Sequence, residues 1–316
     1  MNTKIRLGIS SCLLGNQVRY DGGHKLDRFL TETLGRYVDY VPVCPEVECG
    51  MPVPRESMRL EGDPGAPRLV TTRTRVDKTE QMAVWARRRV AELEKEGLMG
   101  FIFKSDSPSS GMERVKVYNA AGMSVRSGVG MFARAFMEHF PLLPVEEEGR
   151  LHDPGLRENF VERIFALARW RELLAGKAGR GDLVAFHSRH KLLILAHGTA
   201  LYQEMGRLVA RVKQMPLERA FDAYQELLMR ALKLRATAKK NANVLMHMAG
   251  YFKERLTAGE KAELGEVIEQ FRTGLIPLVV PVTLLKHYVR KYDEPYLKDQ
   301  VYLSPHPVEL QLRNHV

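Results

Sequence analysis

The chain has 316 residues, 45% of them hydrophobic and 27% charged, and a formal net charge of +10. That is the composition of a globular protein long enough for two cores. Three cysteines, all among the first 49 residues, argue against a disulfide framework, and the apolar run Leu275 to Leu285, broken by Pro277 and Pro281, is too short to span a bilayer.

In chain order, the opening MNTKIRLGIS has no long apolar segment behind a basic one, so no signal peptide is read and a cytoplasmic location is expected. Ile5 to Leu14 reads as a first β-strand running into the turn Gly15-Asn16. Tyr37 to Val43 reads as a second strand, ended by Pro45. Two Pro and two Gly make 62–67 a loop. Thr79 to Leu98 has Met82, Val84, Trp85, Val90 and Leu93 near helical spacing, with Gly97 at its end. Gly100 to Phe103 suits a buried strand, and Val125 to Phe140 reads as helix. Strands alternating with helices imply an α/β domain with a mostly parallel sheet, in which ligands sit beyond the C-terminal strand ends. Cys12, Cys44 and the Lys104–Gly111 loop each follow such an end.

Pro141 to Pro154 carries three Pro, Gly149 and the acidic run Glu146-Glu147-Glu148, and reads as a linker. Helical patterns then follow over Phe160–Leu174, Lys191–Met205, Pro216–Leu234, Asn243–Leu256 and Thr257–Thr273, the last opened by a Thr-x-x-Glu capping box. The expected organisation is an α/β domain over 1–145, a linker over 146–154 and an all-α domain over 155–316. Charge divides unevenly. Residues 1–150 carry 22 Lys and Arg against 20 Asp and Glu, whereas residues 151–316 carry 26 against 18. A surplus of +8 in the helical half suits a polyanionic partner, although a well-solvated basic surface gives the same count.

The segment Cys44-Pro-Glu-Val-Glu-Cys49-Gly places two thiols just after a strand, with Cys12 at the end of the preceding one. A closed zinc site wants a fourth Cys or His. Three soft thiolates suit an iron–sulfur cluster with one open iron. Three unrelated buried thiols are the plainer alternative.

The neighbouring residues add a resemblance. Ser10-Ser-Cys12-Leu-Leu-Gly15, Arg19-Tyr-Asp-Gly22, Val43-Cys44-Pro-Glu46-Val, Pro52-Val-Pro-Arg55 and Lys104-Ser-Asp-Ser107-Pro-Ser109-Ser110-Gly111 resemble the TudS-type thiouracil desulfurase family across residues 4–145. The resemblance implies a [4Fe–4S] cluster held by three cysteines, whose free iron takes the thiocarbonyl sulfur of a thiolated base. It implies non-redox loss of sulfur, with the ring carbon gaining oxygen from water. The family's loop ends Ser-Pro-Ser-Cys-Gly, and here its cysteine position is Ser110. Cys49 is the thiol left to replace it, which makes the expected ligands Cys12, Cys44 and Cys49; the alternative is a two-cysteine cluster with Cys49 a bystander. The family's glutamate falls on Glu46, a candidate general base, and its serine on Ser107, a candidate donor to the ring nitrogen or the sulfur. A salt-bridging glutamate and a turn serine before Pro108 are the plainer readings. Glu48 is expected on the opposite face.

In the second half, Phe186-His-Ser-Arg-His-Lys191, Lys239-Lys-Asn-Ala-Asn-Val-Leu-Met-His247, Gly250-Tyr-Phe-Lys253 and Pro281-Val-Thr-Leu-Leu-Lys286-His resemble the helical domain of YbgA-like proteins. The two-domain pattern as a whole resembles the tRNA 4-thiouridine desulfidases. Three basic groups are candidate RNA contacts: Arg189, His190 and Lys191; Lys239 and Lys240; and Lys286, His287, Arg290 and Lys291. Lys and Arg neutralise phosphates, and His can stack on splayed bases. The expected partner is tRNA. Two other readings stay open: a desulfurase of free thiouracil, and a non-catalytic iron–sulfur protein that binds RNA.

Overall fold

The computed structural model describes residues 5–315; the first four residues of the stretch read for a signal peptide lie outside them. Two compact units result, one reaching to Asp153 and the other starting at Pro154.

The first unit is built on a four-stranded sheet in the order β2-β1-β5-β8: β1 (Ile5–Ser10), β2 (Val38–Val43), β5 (Phe101–Phe103) and β8 (Val145–Glu147), every pairing parallel. β1 is the apolar run IRLGIS because four of its last five positions are buried, as a strand in the middle of a parallel sheet requires. Gly8 is needed there: a Cβ would lie 2.1 Å from the Phe101 ring. The α2 helix (Thr79–Glu94) and α3 helix (Met131–His139) supply Trp85, Phe132 and Phe136 to a buried aromatic cluster with Phe101 and Phe103. Full burial of each ring contributes roughly 2–3 kcal/mol.

Sequence periodicity misses a second sheet. β3 (Met58–Glu61) and β4 (Arg68–Thr71) flank the 62–67 loop as an antiparallel pair, and β6 (Val115–Tyr118) and β7 (Ser124–Gly128) extend it in the order β4-β3-β6-β7. The helix expected over Val125 to Phe140 is therefore strand β7 followed by α3. Four of β7's five residues are exposed, so it shows no apolar alternation.

The expected linker also changes role. Glu146 and Glu147 belong to β8 and are buried with Glu148. Glu147 Oε1 accepts from the Met112 amide at 2.7 Å, and Glu148 Oε2 accepts from the Ser105 amide at 2.7 Å. The acidic run thus clamps both sides of the 107–111 loop instead of floating in solvent.

Among the described residues of the second unit every regular element is helical: α4 (Pro154–Ala175), α5 (Arg180–His197), α6 (Thr199–Ala210), α7 (Leu217–Lys233), α8 (Ala238–Gly250), α9 (Ala258–Arg272), α10 (Val279–Lys291) and the short α11 (Pro295–Lys298). The single helix expected over Lys191–Met205 is broken at Gly198, whose backbone is extended between α5 and α6. The Thr257–Glu260 capping box forms as expected. Trp170, Phe186 and Tyr224 centre the core, with the Trp170 indole donating to Gln225 Oε1 at 2.8 Å. Among the described residues no helix is long and apolar enough to cross a membrane.

Candidate active site

Three strand ends meet at one cavity of about 330 Å³. Pairing of Ser10 with Val43 brings the ends of β1 and β2 level, and the Lys104 amide donates to Ser10 Oγ at 2.9 Å, which ties in the end of β5. Cys12 follows β1 in a short 3-10 turn, and Cys44 caps the single-turn helix α1 (Pro45–Glu48) after β2. Both are buried and both line the cavity, with Glu46, Arg55, Lys104, Ser107 and Ser110. Burial pushes the Cys12 thiol up to about 11 and, with the Glu46 carboxylate adding to it, the Cys44 thiol up to about 12. Without a cation both thiols are protonated at neutral pH, and a metal that binds them must displace two protons.

Cys49 is not in the cavity lining. It caps the far end of α1, half-buried, with its thiol 3.3 Å from the Glu46 carbonyl. The reason is helical geometry: five residues at about 100° each turn its side chain roughly 140° past that of Cys44. Ser110, the position at which the related motif has cysteine, does line the cavity and is buried. The donor set therefore fits a sulfur-ligated metal group at two thiols. The third position is divided between a thiol outside the cavity and a hydroxyl inside it.

The serine loop is fixed by α3 as well as by the acidic run. The first amides of α3 point at the loop: Phe132 N–H donates to the Ser109 carbonyl at 2.9 Å and Met131 N–H to the Pro108 carbonyl at 3.2 Å. Gly130 permits this approach, since a Cβ there would lie 2.6 Å from the Ser109 carbonyl carbon. Ser107 Oγ accepts from the Ser110 amide at 3.1 Å and lies 3.0 Å from Ser109 Oγ. Ser109, fully buried, donates in a short bond to Glu46 Oε1. Its single proton is thereby committed, so Ser107 must be the donor to Ser109. The result is an ordered chain Ser107–Ser109–Glu46. In the sequence Ser109 stands within the Lys104–Gly111 motif, but no role is assigned to it there.

Glu46 Oε2 is 3.6 Å from an Arg55 guanidinium nitrogen and 3.5 Å from Cys44 Sγ. Arg55 also donates to the Val18 carbonyl at 3.0 Å. The salt-bridging and catalytic readings of Glu46 are thus compatible. Glu48 accepts from the Cys44 amide at 2.8 Å and pairs with Arg89 at 2.9 Å, away from the cavity, as its expected face implied.

The candidate RNA contacts are not equally available. His190 is a correction: it is 2% exposed, stacks on Phe186 at 3.8 Å and donates from Nδ1 to the Phe186 carbonyl. It falls on the apolar stripe of α5 with Leu183, Phe186 and His187, so burial decides its place. Lys240 donates to the carbonyls of His197 at 2.7 Å and Arg235 at 3.0 Å. Lys291 pairs with Glu260 at 2.7 Å, and Lys191 lies 4.8 Å from the Tyr296 ring centre. Arg189, Lys239, His287 and Arg290 are exposed. Lys286 is partly buried, and burial, with Arg313 and Arg290 nearby, lowers its ammonium pKa.

Residues 7–148 match the family described as 2-thiouracil desulfurase, and residues 191–307 match a family described as protein of unknown function DUF1722. The chain thus joins a domain similar to the 2-thiouracil desulfurases to a helical domain. The uncharacterized protein YbgA of Escherichia coli (strain K12) is 34% identical over 153 residues, which is 48% of this chain and 90% of YbgA. The chain belongs to the YbgA family. A solved chain titled [4Fe-4S]-dependent thiouracil desulfidase TudS is 29% identical, with a TM-score of 0.40 over 48% of this chain and 95% of that one.

Proposed function

We propose that the protein is a [4Fe–4S]-dependent desulfidase that converts 4-thiouridine in tRNA to uridine, releasing sulfide without redox change. The observation that carries the reading is the Ser107–Ser109–Glu46 chain, set beside two buried thiols on one cavity. Cys12 and Cys44 would hold the cluster. For the third position softness favours Cys49 over Ser110, because iron–sulfur clusters are thiolate-ligated. When bound, a cluster with one open iron supplies a thiophilic Lewis acid for the thiocarbonyl sulfur.

The chain's own residues supply the protons. Glu46 takes a proton from water as the oxygen attacks the ring carbon, with Arg55 steadying the carboxylate. Once Glu46 is protonated, the two serine hydroxyls reverse, and Ser107 delivers a proton to the ring nitrogen or the departing sulfur. A C=O double bond replaces the C=S double bond: water supplies the oxygen, both of its protons end on sulfur, which leaves as hydrogen sulfide, and no electrons are exchanged with an external partner.

The tRNA reading rests on the +8 surplus of residues 151–316 and on the exposed Arg189, Lys239, His287 and Arg290. A thionucleoside inside folded tRNA must be unstacked before it reacts, and a second unit gripping phosphates offsets that cost. The test is anaerobic incubation of the reconstituted protein with bulk tRNA, followed by nucleoside analysis. The expected result is loss of 4-thiouridine with matching gain of uridine. Turnover of free thiouracil alone would replace this reading by the free-base one, and absence of both would leave a non-catalytic protein.

A further inference from the structure

A second cavity, of about 430 Å³, opens within the helical unit, and nothing in the desulfurase chemistry uses it. Its wall carries Glu158 and Glu162 on α4, His197 at the end of α5, and Arg313 and His315 near the C-terminus. Beside that wall is His306, which is 9% exposed. One carboxylate oxygen each from Glu158 and Glu162 and one ring nitrogen of His306 lie within 4.8 Å of one another.

Among the described residues, each carboxylate oxygen of this pair has a hydrogen-bond partner. Arg313 donates from Nε to Glu158 Oε1 at 3.0 Å and from Nη2 to Glu162 Oε1 at 2.8 Å. His315 reaches Glu158 Oε2 at 3.1 Å, and His197 reaches Glu162 Oε2 at 3.2 Å. An ionised carboxylate oxygen has room for a second donor or a metal, so coordination need not break these bonds. His306 is different. Its Nδ1 lies 3.2 Å from the Pro307 carbonyl, which can only accept, so Nδ1 carries the proton and Nε2 the lone pair. Nε2 is buried without any partner. A buried, unpartnered ring nitrogen on a histidine beside two carboxylates is a polar group that a bound cation would satisfy. A backbone carbonyl holding the other ring nitrogen is also the usual outer support of a metal-binding imidazole.

We infer that Glu158, Glu162 and His306 bind a divalent first-row transition ion, with open coordination positions toward the cavity. Two carboxylates and one imidazole, without thiolate, suit Mn²⁺, Fe²⁺ or Zn²⁺, and three protein ligands leave room for a small molecule or water, as in reactive metal sites. Arg313, His197 and His315 orient the carboxylates from the outer shell. The site is independent of the cysteine cavity and of the desulfidase reading.

Mn²⁺ tests it, because a hard ion is not drawn to the three thiols. Chelator-treated full-length protein is titrated with Mn²⁺ and free ion is followed by electron paramagnetic resonance. One ion per chain is expected, with unchanged stoichiometry in Cys12→Ser and uptake weakened roughly a hundredfold or more in His306→Gln. Glu158→Gln should weaken uptake similarly, and serves as the decisive variant if His306→Gln does not fold. No uptake by the wild-type protein, or uptake that survives both substitutions, overturns the inference and leaves Arg313 as the cation of this cluster.

Discussion

Ser109 has one proton and gives it to Glu46, which makes it the joint between the candidate base and Ser107. It does not line the cavity, so it is a positioning and relay residue. Ser109→Ala should leave iron content unchanged and lower turnover by about tenfold to a hundredfold, with little change in KM. Steady-state kinetics on the reconstituted protein checks this; a normal kcat would remove the relay from the mechanism. Ser109→Thr, which keeps the hydroxyl, should recover part of the loss. The cysteines divide the same way. If Cys49 is the third ligand, Cys49→Ser should lose the brown iron–sulfur absorbance as fully as Cys12→Ser, whereas Ser110→Ala should keep it. Loss on Ser110→Ala with retention on Cys49→Ser would give the third position to the serine.

Individual helices decide which charges remain available. On α10, burial lowers the Lys286 pKa, with Arg313 and then Arg290, four residues on, adding to it, whereas Lys291 is held by Glu260 on α9. Lys286→Ala with Arg290→Ala should weaken tRNA binding and reduce the slope of log affinity against log salt by about 1.5, whereas Lys291→Ala should change it little. Filter binding across a salt series measures both. On α5, burial holds His187 down at about 4 and His190 down at about 3. An unfolded imidazole protonates near 6.5, so the unfolded chain gains protons first as pH falls. The contribution is whole above about pH 6.5 and is lost as pH falls toward 4 and then 3, at roughly 1.4 kcal/mol per unit for each histidine. His190→Leu, which keeps an apolar side chain on Phe186, should flatten this acid dependence in thermal melts of the full chain.

For the whole molecule, the informative cut is between the units. A chain ending at Asp153 keeps β8 and the carboxylates that clamp the serine loop, and should turn over free thiouracil while losing tRNA binding. A chain ending at Val145, the boundary that the sequence pattern suggested, loses Glu147, Glu148 and most of β8, and should be inactive on either substrate. Circular dichroism and turnover of the two fragments compare these outcomes; equal activity would show that the acidic run is a linker after all.

Beyond Glu46 and Ser107, which were singled out by the family resemblance, sequence alone determined the alternation of parallel strands and helices, the helical second half and the convergence of Cys12, Cys44 and the Lys104–Gly111 loop. Those features follow from local signals: apolar runs, caps, turn residues and the strand-end rule. Tertiary structure decided the rest, because burial and partner choice are not local. It gave β7 its partner in β6, placed Glu146 to Glu148 beneath the serine loop, and put Ser109 in line with Glu46. It also took His190 into the core and tied Lys240 and Lys291 to partners, so that charges which look equivalent along the chain became unequal in space. Cys49 is near Cys44 in sequence, yet the turn of α1 sets it outside the cavity that Ser110 enters from sixty residues away.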